Sequence, residues 1–91
     1  MNGSRVMNDL NSKYDRLSEQ EQVFFKQIGT AELCLIAIFD YVFQYGHLTN
    51  KLTVEEIMMA VHQIEMDLRT EMLHLRLEKA MVACELNTHF H

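Results

Sequence analysis

Hydrophobic positions divide the chain into two long segments with helical spacing, separated by a short polar connection. The densest apolar stretch is residues 33–43, Leu-Cys-Leu-Ile-Ala-Ile-Phe-Asp-Tyr-Val-Phe, in which ten of eleven side chains are apolar or aromatic. Arranged as a helix, these side chains cover its whole circumference, which is typical of a buried helix. The stretch is shorter than the ~20 residues that a membrane span needs, so we expect no membrane insertion.

The first helix is predicted to span Glu19–Tyr45. Ser18 and Glu21 form a Ser-x-x-Glu capping box, which marks a helix start. Residues 1–17 show no sustained period and are predicted to form a flexible N-terminal tail. Gly46 is expected to end the helix in the left-handed conformation. Apolar residues three and four positions apart mark one face of this helix: Val23, Phe24, Ile28, Ala31 and Leu35.

The second helix is predicted to span Val54–Leu86. Thr53 and Glu56 form another capping box, and Leu52 with Ile57 supplies the accompanying hydrophobic staple. Spacings of three and four continue along the helix and predict a seam facing the first helix. The predicted seam consists of Val54, Ile57, Val61, Ile64, Leu68, Met72 and Leu75.

The two helices predict an all-α fold, a long antiparallel helical hairpin over residues 18–88. One partner helix cannot cover a helix that is apolar all round, so we expect two hairpins to dimerise into a four-helix bundle. Met59 and Met66 are candidates for an exposed, adaptable binding surface. The residues expected at the dimer or partner interface are Leu33, Leu35, Ile36, Phe39, Val42, Phe43, Val61, Leu68, Met72 and Leu75.

Composition limits the fold and the location. The 91 residues allow one small domain, and the absence of proline with only three glycines disfavours an all-β fold. The net charge of −5 disfavours generic phosphate binding. Cys34 and Cys84 lie among apolar residues and are expected to be buried, reduced thiols too far apart for a disulfide. The polar N-terminus lacks a signal region, so a cytoplasmic location is expected.

Two histidine patterns suggest metal binding. Glu71 and His74 form the Glu-x-x-His spacing by which ferritin-like bundles bind iron, and a dimer would supply two copies. Such a site also needs inward glutamates from the other helices, for which Glu32 is the nearest candidate. His89 and His91 form a second pair near the C-terminus. We favour solvent-exposed helix residues as the explanation of the first pattern and an accidental pair on a frayed end as the explanation of the second, so we expect no metal and no cofactor.

Arg69, Arg76 and Lys79 are spaced seven and three residues apart on the second helix. In a dimer they would form a basic stripe able to contact nucleic-acid phosphates. Acidic residues are interspersed with them, which is typical of an ordinary charged helix surface. DNA binding is therefore an alternative that is not favoured. Because no catalytic motif is recognisable, we expect a protein that is not an enzyme.

Residues 39–65, FDYVFQYGHLTNKLTVEEIMMAVHQIE, resemble the YmgB/AriR family of small enterobacterial helical proteins. The matching features are an apolar helix ending at Gly46, Leu48 in the connection, the Asn50-Lys51 pair, and the Ile64-Glu65 step in the second helix.

The resemblance implies a dimeric two-helix protein without catalytic residues. Members of this family are described as connectors that influence response-regulator signalling, biofilm formation and acid resistance, and DNA binding has been proposed within the family. We therefore expect a small regulatory protein that acts through protein–protein contacts, with a response regulator as a candidate partner. The alternatives are a dimeric DNA-binding transcriptional regulator and a helical-bundle metal-binding protein.

Overall fold

The fold is a single antiparallel helical hairpin. The computed structural model describes the backbone of residues 2–90 and the side chains of residues 4–88. Helix α1 spans Asn2–Tyr45 and helix α2 spans Lys51–Phe90, joined by a 3-10 turn at Gly46–Leu48 and two further residues. The molecule is a rod of 70 × 16 × 16 Å. The predicted all-α hairpin is confirmed.

Helix α1 begins at Asn2, seventeen residues before the predicted start. The prediction of a nonhelical tail over residues 1–17 is therefore wrong for the residues that the structure describes. Leu10, Tyr14 and Leu17 recur at steps of four and three and pack against α2. This burial stabilises a segment whose local propensity is weak, since most helical stability in proteins comes from tertiary packing. Ser18 lies inside the helix and caps nothing.

The turn differs from its prediction at both helix ends. The Thr53 backbone N–H donates to Asn50 Oδ1 at 2.9 Å, so Asn50 caps α2 and the predicted Thr53 cap is wrong. Gly46 opens the 3-10 turn and does not adopt the left-handed conformation, which also corrects the prediction. The Thr49 backbone N–H and hydroxyl donate to the Gly46 carbonyl at 3.2 and 2.8 Å. The turn therefore satisfies its backbone groups without a left-handed residue.

The helices pack through one continuous seam whose positions alternate in steps of four and three, the spacing of a coiled coil. Every seam position is buried or half-buried. The seam consists of residues 10, 14, 17, 21, 24, 28, 31, 35, 38 and 42 on α1, and 54, 58, 61, 65, 68, 72, 75, 79, 82 and 86 on α2.

Two residues predicted in the α2 seam lie outside it. Ile57 and Ile64 are 51% and 57% exposed, and the seam uses Met58 and Glu65 instead. Glu65 fits because its carboxylate accepts from Arg69 Nε at 3.0 Å. Val23, expected on the inner face of α1, is likewise 54% exposed.

Burial is uneven along the rod. We define the open half as residues 10–32 with residues 65–86, and the turn half as residues 33–64. Within the described side chains no residue of the turn half is buried, and Leu33 and Phe43 are 66% and 91% exposed. One partner helix therefore leaves much of residues 33–43 uncovered, as the pattern predicted. The buried side chains all lie in the open half: Leu17, Ile28, Ala31, Met72, Leu75 and Val82.

The two cysteines are exposed, one in each half of the rod. Cys34 and Cys84 are unbridged, which agrees with the predicted reduced state. Both are exposed on the single hairpin, so the prediction that they are buried is wrong for this chain taken alone.

Candidate protein-association face

A second stripe of α1 runs beside the seam with the same spacing, at residues 25, 29, 32, 36, 39 and 43. A matching stripe of α2 contains residues 59, 62, 66, 69, 73 and 76. The two stripes border one cavity of about 340 Å³, to which α1 contributes Phe25 and Gly29 and α2 contributes Leu73 and Arg76. They therefore share one side of the hairpin. We name the apolar members of this side the Phe–Met face: Phe25, Ile36, Phe39, Phe43, Met59, Met66 and Leu73.

The Phe–Met face is solvent-exposed throughout. Its least exposed member is Met66 at 44% and its most exposed is Phe43 at 91%. At the turn, a further cavity of about 490 Å³ lies between Phe39 and Met58. Large contiguous apolar surfaces are rare on soluble monomers, so this face is a candidate association site.

One ion pair interrupts the apolar surface. Arg69 pairs with Glu32 across the helices, and its Nε also donates to Glu65 Oε2 at 3.0 Å. The side chains of Arg69 and Glu32 are 45% and 50% exposed. A positive and a negative group thus lie side by side near the middle of the face.

The predicted interface residues fall into two groups. Leu33, Ile36, Phe39 and Phe43 are exposed and available to another chain. The other six belong to the seam within the hairpin. Leu35, Val42, Val61 and Leu68 are half-buried, and Met72 and Leu75 are buried.

The sequence reasoning missed Phe25 and Leu73. Their signal is the second set of four-and-three spacings, which places Phe25 with Phe39 and Leu73 with Met66. Met59 and Met66 were predicted to be exposed, and the structure confirms this at 64% and 44%.

The candidate nucleic-acid residues are engaged in ion pairs within the hairpin. Glu21 accepts from Arg76 Nε at 2.8 Å and from Lys79 Nζ at 2.9 Å, while Arg69 is held by its two glutamates. Lys79 also lies 5.0 Å from the ring centroid of Tyr14. The structure does not bring the three cations together as one stripe, since Lys79 belongs to the seam.

These contacts shift two pKa values. Hydrogen bonds from Arg76 and Lys79 hold the pKa of Glu21 below its ordinary value. The hydrogen bond to Glu21 raises the pKa of Lys79 above its ordinary value. Both shifts favour the charged forms, so the pair fastens α1 to α2 at neutral pH.

The candidate metal ligands show no cluster in the part of the chain that the structure describes, where no group of three or more His, Cys, Asp or Glu side chains converges. Glu71 and His74 are exposed beside a shallow cavity of about 240 Å³. The side chains of His89 and His91 lie outside those that the structure describes. Among the described side chains of one hairpin, the Glu-x-x-His pattern thus has no converging glutamate partners.

Among the described residues, one helical stretch, Ser4–Leu48, which covers most of α1 and the 3-10 turn, contains a window long and apolar enough to cross a membrane. The window has a mean hydropathy of 1.4 and is 11% buried. This criterion rests on length and composition only, and it also selects core helices of soluble proteins. The expected absence of membrane insertion and the expected cytoplasmic location stay predictions.

The chain matches no family model, and no curated protein or solved structure is significantly similar to it. The resemblance to the YmgB/AriR family therefore stays a prediction.

Proposed function

We propose that this protein is a non-enzymatic regulatory adaptor that acts through protein–protein contacts and forms a homodimer with a four-helix core. The observation that carries the proposal is the Phe–Met face, in which seven large apolar side chains lie exposed on one side of a narrow rod. Burial of apolar surface is the main driving force of protein association.

The size of the face agrees with a stable interface. A full side chain of this kind contributes roughly 200 Å², so seven that are about half to nine-tenths exposed offer on the order of 800 Å² per copy. Specific protein interfaces bury about 800 Å² per partner. A second copy supplies the same area with the same shape, so the two would complete one bundle.

A different edge of the turn half offers a surface for a regulated partner. Ile57 and Ile64 are exposed, and each borders a cavity: about 270 Å³ beside Tyr41 and about 430 Å³ beside Cys34. An amphipathic helix of a partner would bind such a groove through residues spaced three and four apart. The family resemblance makes a response regulator the first partner to examine.

Light scattering during size-exclusion chromatography tests the proposal. We expect a mass of about 21 kDa, twice the 10.7 kDa chain. The same sample, mixed with neutral and anionic lipid vesicles, should remain in the supernatant after centrifugation. A stable monomer that binds neither protein nor vesicle would contradict the proposal, and a monomer that sediments with vesicles would reassign the face to lipid.

A further inference from the structure

The Phe–Met face contains one socket, at Gly29. A Cβ atom added to Gly29 would meet nothing within 4 Å. The glycine lies at the wall of the 340 Å³ cavity, whose other walls include Phe25, Met72 and Leu73. Nothing inside the hairpin requires a glycine here, although glycine is the poorest helix former after proline.

We infer that Leu73 of a second copy fills this socket, so that the two hairpins lie side by side with both turns at the same end. This inference rests on the proposed homodimer and specifies its geometry. Each copy would contribute one socket and one leucine, so neither site is complete without the other copy.

The positions of the apolar residues along the long axis of the rod support this geometry. Gly29 and Leu73 border the same cavity, and nearer the turn Phe39 and Met58, the neighbour of Met59, border another. A two-fold axis parallel to the rod places α1 of one copy against α2 of the other at equal levels, so each of these apolar residues meets an apolar residue.

Charge favours the same arrangement. With the axis along the rod, Glu32 of one copy faces Arg69 of the other, and the reciprocal pair forms too. The two intrachain ion pairs thereby become a ring of alternating charges. Opposite charges that meet across an interface fix its register more than they add affinity.

The competing two-fold arrangement is less complementary. If the two-fold axis instead runs across the rod, α1 packs against α1 of the other copy and α2 against α2. The two rods then point in opposite directions, so residues near the turn of one copy face residues near the open end of the other. Met66 would then meet Arg69, and Glu32 would no longer face an arginine of the other copy. This packing therefore loses the two ion pairs between copies that the first arrangement gains.

The first test enlarges the socket residue. In Gly29→Leu the new side chain occupies the space that Leu73 of the other copy needs, so we expect the dimer dissociation constant to rise at least tenfold. Circular dichroism should show helicity equal to or above that of the unchanged protein, because leucine favours the helix more than glycine does. Thr30→Leu is the matched control, since it adds the same side chain at the next, exposed position on the other edge.

The second test exchanges the sizes. Combining Gly29→Leu with Leu73→Ala restores a large residue opposite a small one, and we expect the dissociation constant to return to within about fivefold of the unchanged protein. Leu73→Ala alone should weaken the dimer. A double variant as weak as Gly29→Leu would overturn the pairing of these two residues.

The third test measures orientation directly. A spin label at His47→Cys, with Cys34→Ser and Cys84→Ser, reports the distance between the two turns. Neighbouring helices lie about 10 Å apart, so the labels should lie within about 30 Å of each other. In the reversed arrangement each turn lies about 13 residues from the centre, which separates the turns by about 40 Å at 1.5 Å per residue.

The outcomes separate the two proposals. A dimer with the longer distance, or one indifferent to Gly29→Leu, overturns the inferred geometry and leaves the homodimer in place. An unchanged protein that stays monomeric at every concentration overturns the homodimer and the geometry together.

Discussion

The two halves of one hairpin solve the problem of burial in opposite ways. Among the described residues, the open half contains the six buried side chains and every ion pair between the helices. These pairs join Lys13 to Glu78, Glu21 to Arg76 and Lys79, and Glu32 to Arg69. The turn half contains the most apolar segment of the sequence, yet none of its described side chains is buried.

This difference shows that the hydrophobicity of a segment and its burial within one chain are separate properties. The open half alternates apolar seam positions with polar outer positions, so a single partner helix covers its apolar residues. The turn half carries apolar residues on the seam and on both edges, and two helices cannot enclose such a set. In our account the open half holds the hairpin together, while the turn half provides most of the surface that another chain covers.

The largest effect on hairpin stability should follow from a cavity in the open half. Leu75 is 6% exposed, so Leu75→Ala should lower the free energy of unfolding by about 2–4 kcal/mol. Leu77, two residues away and 63% exposed, serves as the control, and Leu77→Ala should change it by less than about 0.5 kcal/mol. Urea unfolding followed by circular dichroism measures both. Equal losses would show that the open half has no specific core.

A charge on the Phe–Met face should have the next largest effect, on association rather than on folding. Phe39→Glu places an unpaired carboxylate in the interface and should raise the dimer dissociation constant at least 100-fold, about 2.7 kcal/mol. Val23→Glu is a close control because Val23 is 54% exposed and Phe39 is 55% exposed. Sedimentation equilibrium distinguishes them. If both variants dimerise equally, the face is not the interface.

Removal of the Glu21 carboxylate, which pairs with two cations of α2, should have a smaller effect on stability. Glu21→Gln leaves Arg76 and Lys79 without their carboxylate, so the melting temperature should fall by a few degrees at low salt and by less at high salt. Glu19 lies two residues before Glu21 and is exposed, so Glu19→Gln should leave the melting temperature nearly unchanged. A drop of the same size in both variants would point to a general charge effect.

The smallest predicted effect is the pH dependence of the stability that Glu21 and Lys79 contribute. The pKa of Glu21 is lower in the folded chain than its ordinary value of 4.5, so its contribution is complete above pH 4.5 and is lost as pH falls through the lowered pKa. The pKa of Lys79 is raised above 10.5, so its contribution is complete below that pH and is lost above it.

Melting temperatures of the unchanged protein and of Glu21→Gln, measured from pH 3 to pH 8, check this linkage. The difference between the two should be constant near neutral pH and shrink in acid. A difference that grows as the pH falls would have the wrong sign.

Much of the fold follows from the spacing of apolar residues, because that spacing sets the helices and their antiparallel pairing. The choice between Ile57 and Met58, or between Ile64 and Glu65, does not follow from it, since both sets fit spacings of three and four. Packing against α1 and the Glu65–Arg69 contact determine which residues of α2 lie in the seam, and only the folded hairpin shows them.

The spacing of apolar residues also does not determine where the helices begin and end. Asn50 and Thr53 are both good capping residues, and Asn50 caps α2 because the turn delivers its side chain to the Thr53 amide. The helical start at Asn2 depends on packing of Leu10 and Tyr14 against α2, which local propensity does not reveal. For the candidate site, the exposed apolar surplus was predictable, but its division between the Phe–Met face and the opposite edge was not.

Hydroxyl-radical footprinting of methionine oxidation tests the central claim most directly, since it reads the exposure of individual side chains in solution. Met59 and Met81 are 64% and 60% exposed on the isolated hairpin, but only Met59 belongs to the Phe–Met face. Our account predicts that Met59 is protected at high protein concentration and becomes as reactive as Met81 on dilution, while Met81 reacts equally throughout. Equal reactivity of Met59 and Met81 at every concentration would contradict it.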